Sequence, residues 1–136
     1  MVSEASAWHD RLRVNPLIRI IPAFMVRFFA KPYVAGDSLA MAMAVVGKLR
    51  KDRGLLSTLD LLAEDIKLPE QAERNLQAYL DMVNAAAALD PADRPTLSLK
   101  PSSYTTSPLH EGGDAAGSRE AMLQISKKAA AANVDV

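Results

Sequence analysis

The chain has 136 residues, of which 49% are apolar and 24% charged, and its 16 basic residues balance 16 acidic ones. These values are typical of one folded domain and exclude a disordered chain. A neutral chain without a basic stripe argues against nucleic-acid binding, and the lack of cysteine excludes disulfides and thiolate-bound zinc. The two histidines, His9 and His110, are far apart, so we expect no metal site.

Residues 1–36 are predicted to form an N-terminal helical arm. Asn15 and Pro16 form a helix start, and the apolar run that follows carries Arg19 and Arg27. This pattern fits a basic amphipathic helix on a lipid surface or a partner, or a packing helix with a solvated basic face. The run is too short to cross a bilayer, and acidic residues precede it, unlike a secretory signal. We expect a cytoplasmic protein, with peripheral contact at the inner membrane as the alternative.

Residues 37–136 alternate between helical and strand patterns, which predicts an α/β fold. Helices of this length between strands imply parallel pairing through crossover connections. The first predicted helix is capped by Asp37 or Ser38, reaches Arg53 and ends at Gly54, and a strand follows within Leu55–Glu64. The next elements are a helix from Pro69 to Leu89 and a strand Thr96–Lys100. A long loop Pro101–Gly117 then leads to a helix from a Ser118 cap to Ala132 and to the start of a third strand at Val134–Val136. The apolar face of the second helix is predicted to consist of Ala72, Leu76, Leu80, Val83 and Ala87.

Both predicted strands end on charged residues. Side chains alternate across a strand, so Lys100 lies on the face opposite the leucines of its strand, and Asp60 can do the same from the first strand. Neighbouring strands are about 4.8 Å apart, so the two side chains could form an ion pair at the carboxyl ends, where binding groups collect in parallel α/β folds. The alternatives are that Lys100 is a solvated strand terminus and that Asp60 and Glu64 cap the next loop or helix. Together, the three charges favour a site.

Three segments resemble, in order and spacing, the N-terminal third of the proline dehydrogenase family. They are Tyr33–Leu39, Gly54–Glu64 and Leu97–Ser103, within a similarity that covers residues 28–136. The resemblance implies a flavin-dependent (β/α)₈ TIM-like barrel, of which residues 37–136 form the first two to three strands. It also implies oxidation of L-proline to pyrroline-5-carboxylate with FAD as cofactor and a quinone or another electron acceptor at the membrane.

The resemblance implies roles for three residues. Lys100 corresponds to a lysine that helps bind the proline carboxylate near the flavin, and Asp60 to an aspartate beside the same pocket. Glu64 corresponds to a loop glutamate that closes the site by pairing with a late arginine, although Ala63 stands where the family commonly has glycine. A complete barrel takes about 250 residues. The arginines that the resemblance implies for binding substrate and FAD, and the late gating arginine, would follow Val136. We therefore expect an incomplete, inactive chain that is prone to self-association.

Two alternatives remain at the sequence level. The first is a non-catalytic helical interaction module, in which the helices around Leu17–Phe28, Leu39–Leu49 and Leu76–Val83 pack as a bundle and the two short apolar runs are connectors. The second is another (β/α)₈ enzyme that shares only the early barrel pattern and binds no flavin.

Overall fold

The structure is a computed structural model that describes residue 25 and residues 34–63, 66–106 and 115–136. The chain divides into two compact units, residues 1–37 and 38–136, and nearly all described residues belong to the second. The helical arm predicted for residues 1–36 lies almost entirely outside the described residues. Within the described ranges, none of the helices combines the length and apolar character needed to cross a membrane.

The second unit is an α/β structure in which helices alternate with two short strands. The strands pair in parallel, with Thr58 opposite Thr96, Leu59 opposite Leu97 and Asp60 opposite Ser98. The predicted parallel pairing is confirmed, so the two apolar runs are not the connectors of a helical module. The elements are α1 (Leu39–Arg53), β1 (Thr58–Asp60), α2 (Pro69–Ala87), β2 (Thr96–Ser98) and α3 (Ala115–Ala131), with 3₁₀ turns at Pro91–Asp93 and Pro101–Tyr104.

Helix α1 begins and ends where its capping residues predict. The Ser38 hydroxyl accepts a hydrogen bond from the Met41 N–H at 3.3 Å. At the other end, Gly54 has a φ of 67°, in the left-handed region that favours glycine, and its N–H donates to the Arg50 carbonyl at 2.9 Å. These caps fix the point at which the chain leaves the helix and turns toward β1.

The core lies between one face of the sheet and helices α1, α2 and α3. Leu59 and Leu97 face each other across the parallel pair and are buried, whereas Thr58 and Thr96 on the other face are exposed. Buried residues of the core cluster come from every helix and include Val46 from α1, Tyr79, Met82, Val83 and Ala86 from α2, and Ala121, Ile125 and Ala129 from α3.

The buried face of α2 is rotated from the predicted one. Val83 is buried as expected, but Leu76, Leu80 and Ala87 are only half-buried. Tyr79, which the prediction omitted, is fully buried. The helix also ends at Ala87, two residues before the predicted Leu89.

The strands are shorter than predicted, and the third one does not form. Strand β2 stops at Ser98, with Lys100 still in extended backbone just before the 3₁₀ turn. Residues 134–136 have no strand assignment, although the Leu97 N–H donates to the Asp135 carbonyl at 2.9 Å. The preceding Thr96 N–H donates to Ser57 beside β1, and successive N–H groups of a strand point to opposite edges. Asp135 therefore lies along the second edge of β2.

The start of α3 also differs from the prediction. The helix begins at Ala115, so Ser118 lies inside its first turns and does not cap it. The Ser118 hydroxyl is buried and donates to the Pro101 carbonyl at 2.9 Å. This contact ties α3 to the turn that follows β2. His110 and the rest of residues 107–114 lie outside the described residues.

Candidate functional site

Asp60 and Lys100 meet at the carboxyl ends of the two strands. The Lys100 Nζ lies 2.6 Å from the Asp60 Oδ2, so the predicted ion pair is confirmed. The side chains are 31% and 34% exposed, respectively. The strand register explains the contact: Asp60 is opposite Ser98, and Lys100 is two residues further along on the same face. The lysine reaches diagonally across the sheet to the carboxylate.

The ion pair lies on the polar face of the sheet. Thr58 and Thr96 are exposed there, and Ser98 is half-buried between Thr96 and Lys100. An ammonium is a compact charge with three N–H donors, which suits it to bind a ligand carboxylate. The arrangement therefore offers a cation with a fixed carboxylate neighbour on a surface of hydroxyl groups.

Helix α2 is hydrogen-bonded to the end of β2 and to the segments that follow both strands. The fully buried Tyr79 donates its hydroxyl hydrogen bond to the Ser98 carbonyl at 2.8 Å. One turn earlier, the Asn75 side-chain amide donates to the Ala63 carbonyl at 3.2 Å and to the Ser103 carbonyl at 2.8 Å. These bonds hold the end of β2 and the segments that follow both strands.

Sequence reasoning missed both Asn75 and Tyr79. The signal was present, because Asn75, Tyr79, Met82, Val83 and Ala86 recur at helical spacing on one face of α2. A polar amide in line with an apolar stripe indicates a buried hydrogen-bonding role, since an unpaired buried polar group is costly. The prediction counted only aliphatic residues and so assigned a neighbouring stripe.

Tyr104 packs beside Tyr79 below the site. Their ring centroids are 5.8 Å apart, with the ring planes tilted by 59°. Burial raises the pKa of Tyr104, and the proximity of Tyr79 raises it further. The phenol of Tyr104 therefore stays protonated at neutral pH.

The gating residue and the cofactor site that were expected from the sequence are not found among the described residues. Glu64, the predicted gating residue, is outside the described ranges. No group of three or more His, Cys, Asp or Glu side chains in the described part of the chain could hold a metal ion. The polar face carries an ammonium that can bind a carboxylate, but its threonines and serine do not form a glycine-rich loop for the FAD pyrophosphate that the resemblance implies. No described residue is therefore assigned to the cofactor.

A separate groove of about 480 Å³ lies between α2, α3 and the segment after the 3₁₀ turn. Its lining includes Glu73, Glu120 and Thr106, but neither Asp60 nor Lys100. The groove is thus distinct from the ion pair, and the chemistry expected from the sequence belongs to the strand ends.

A comparison of the chain with protein-family models, with curated proteins and with solved structures gave no match.

Proposed function

We propose that residues 38–136 form the first βα units of a (β/α)₈ barrel enzyme that oxidises L-proline to pyrroline-5-carboxylate. The observation that carries the proposal is the contact of 2.6 Å between Lys100 and Asp60 at the carboxyl ends of adjacent parallel strands. Catalytic and binding groups of such barrels lie at that end. The hydrogen bond from Leu97 to Asp135 on the second edge of β2 is consistent with a sheet that continues there.

In this proposal, Lys100 binds the carboxylate of L-proline. The polar face of the sheet would become the barrel interior, where exclusion of water strengthens the attraction between an ammonium and a carboxylate. Asp60 fixes the direction of the lysine side chain, because its carboxylate contacts the ammonium directly. Fixing the cation in advance reduces the ordering cost of substrate binding.

The oxidation requires an electron acceptor. Converting the proline ring to the cyclic imine removes a hydride from carbon and a proton from nitrogen. FAD would supply the hydride acceptor, and a quinone or another electron acceptor would reoxidise it. Glu64 remains proposed as a gating residue, and contact with a membrane surface remains proposed for residues 1–36.

The proposal is tested on the protein encoded by the intact reading frame that contains these residues. We expect flavin absorbance that bleaches when L-proline is added without an acceptor. Lys100→Met should raise the KM for L-proline by roughly 10–100-fold, since a hydrogen bond to a charged group contributes about 1.5–3 kcal/mol. Lys127→Met, at an exposed position of α3, should leave the KM unchanged.

A protein that purifies without flavin and does not oxidise proline overturns the proposal and favours a different barrel enzyme. A proline KM that is insensitive to Lys100→Met would show that the lysine does not bind the substrate.

A further inference from the structure

Asn75 connects the two segments that carry the candidate site. Ala63 is three residues after Asp60, and Ser103 is three residues after Lys100. One side-chain amide on α2 donates to both of these carbonyls, at 3.2 and 2.8 Å. The same group therefore fixes both post-strand segments at the same distance along the chain from the charged residues.

The chemistry of the amide suits this connection. An asparagine side chain has two N–H donors on one nitrogen, and here each donor reaches a different backbone carbonyl. Aspartate has the same shape but no donor when ionised, so it would repel both carbonyls. The bond to Ser103 joins a fully buried residue, where an unpaired carbonyl is costly.

The connection reaches Lys100 through a short path. The Ser103 N–H donates to the Lys100 carbonyl at 3.0 Å, closing the 3₁₀ turn between them. Asn75 thus holds the turn that follows Lys100 and, through Ala63, the segment that follows Asp60. Without the amide, each segment would stay connected to its strand but would lose its hydrogen bond to the shared donor on α2.

We propose that Asn75 is a positioning residue that sets the relative placement of Asp60 and Lys100. Its effect on substrate binding rests on the proposed function, but its effect on the ion pair does not. Asn75 does not touch the ion pair directly in this account; it acts through the two backbone segments.

The first test is hydrogen exchange of side-chain amides in the full wild-type chain, followed by NMR. We expect the Asn75 amide protons to exchange more slowly than those of Asn84, which is exposed on the same helix. Equal exchange rates would show that the connection is not formed in solution and overturn the inference. This measurement needs no variant, so it holds even if a substitution prevents folding.

The second test compares Asn75→Ala with Asn84→Ala, which make the same change in side chain within α2. The readout is the order parameter of the Lys100 side chain from carbon relaxation under native conditions. We expect Lys100 to become mobile in Asn75→Ala and to stay ordered in Asn84→Ala. An ordered Lys100 in Asn75→Ala, or equal mobility in both variants, overturns the inference.

These readouts require neither proline nor flavin. If the intact protein fails to oxidise proline while Asn75→Ala still loosens Lys100, the proposed function is wrong and the positioning role stands. If proline is oxidised and Lys100 stays ordered in Asn75→Ala, the positioning role alone is wrong.

Discussion

The ion pair between Asp60 and Lys100 is short, but its two side chains are about one-third exposed. Water screens such pairs, which typically contribute only about 0.2–1 kcal/mol to stability. We therefore expect Lys100→Met and Asp60→Asn each to lower the free energy of unfolding by less than about 1 kcal/mol, measured by urea denaturation. A loss several times larger would identify the pair as a structural element, and any change in the proline KM could then reflect misfolding.

Because Tyr104 is buried, we expect it to make the stability of the chain depend on pH in the alkaline range. Burial raises its pKa above the ordinary value near 10, which applies to the unfolded chain. At a pH between the ordinary pKa and the raised pKa, the unfolded chain has lost the phenolic proton while the folded chain keeps it. The unfolded state then binds fewer protons, and stability falls as pH rises above about 10. Tyr104→Phe should remove this part of the alkaline loss, measured as a shallower fall of the urea midpoint above about pH 10. An unchanged slope would contradict the assignment.

The residues of the site were predictable to different degrees. Asp60 and Lys100 follow from strand alternation, because a period of two fixes the face of each side chain once the strand is identified. Half-buried Asn75 and fully buried Tyr79 were missed because their positions depend on acceptors elsewhere, the carbonyls of Ser103 and Ser98. A scale that ranks residues by hydrophobicity cannot show that a tertiary hydrogen bond makes a polar side chain suitable for the core.

At the scale of elements, Arg94 connects the ends of two helices. Its guanidinium donates at 2.8–3.1 Å to four backbone carbonyls. The acceptors are Ala87 and Leu89 at the end of α2, and Ala132 and Asn133 after α3. Helix C-termini leave carbonyls without intrahelical partners and carry partial negative charge. One planar cation can donate hydrogen bonds to these carbonyls and offset the partial negative charge. Arg94 also directly precedes Pro95 and β2, which places the start of the strand.

We expect Arg94→Lys to destabilise the chain by about 1.5–3 kcal/mol, because lysine keeps the charge but loses the planar fork of donors. The matched control is Arg74→Lys, an exposed position on α2 that should change stability by less than about 0.5 kcal/mol. Urea denaturation of both variants provides the comparison. Equal midpoints would mean that charge alone explains the contribution of Arg94.

The boundaries of elements were predictable where local chemistry sets them. Ser38, Gly54 and Pro69 mark helix ends through caps and fixed backbone angles, and the structure has these ends. Ser118 was misassigned as a cap because a serine can equally use its hydroxyl inside a helix when a carbonyl such as that of Pro101 lies nearby. Strand lengths were overestimated because a strand extends only as far as a neighbouring strand pairs with it, which the local sequence does not encode.

At the scale of the whole unit, the described residues form a sheet of two strands, with Leu59 and Leu97 buried on one face. Such small sheets are rarely stable without further strands or packing. Leu55, Leu56 and Leu62, on either side of β1, are 49%, 66% and 72% exposed. These exposed leucines flank β1 along the chain, and exposed large apolar side chains are typical of surfaces that another protein segment covers. In the proposed barrel, that segment would be further barrel structure.

The 136-residue chain should therefore self-associate when purified alone. We expect its sedimentation coefficient to increase with concentration and an apolar fluorescent dye to bind. The single substitution Leu56→Gln should reduce both signals, because it removes exposed apolar area close to β1 in the chain. Leu123→Gln, which changes an exposed leucine on α3, is the matched control and should reduce them less.

A chain that stays monomeric and binds no dye at every concentration would contradict this expectation. It would mean that the leucines that flank β1 are covered in solution by the chain itself. Equal effects of Leu56→Gln and Leu123→Gln would show that the chains associate through exposed apolar side chains in general, without a preference for those that flank β1. Only a selective effect of Leu56→Gln links self-association to the exposed leucines that flank β1.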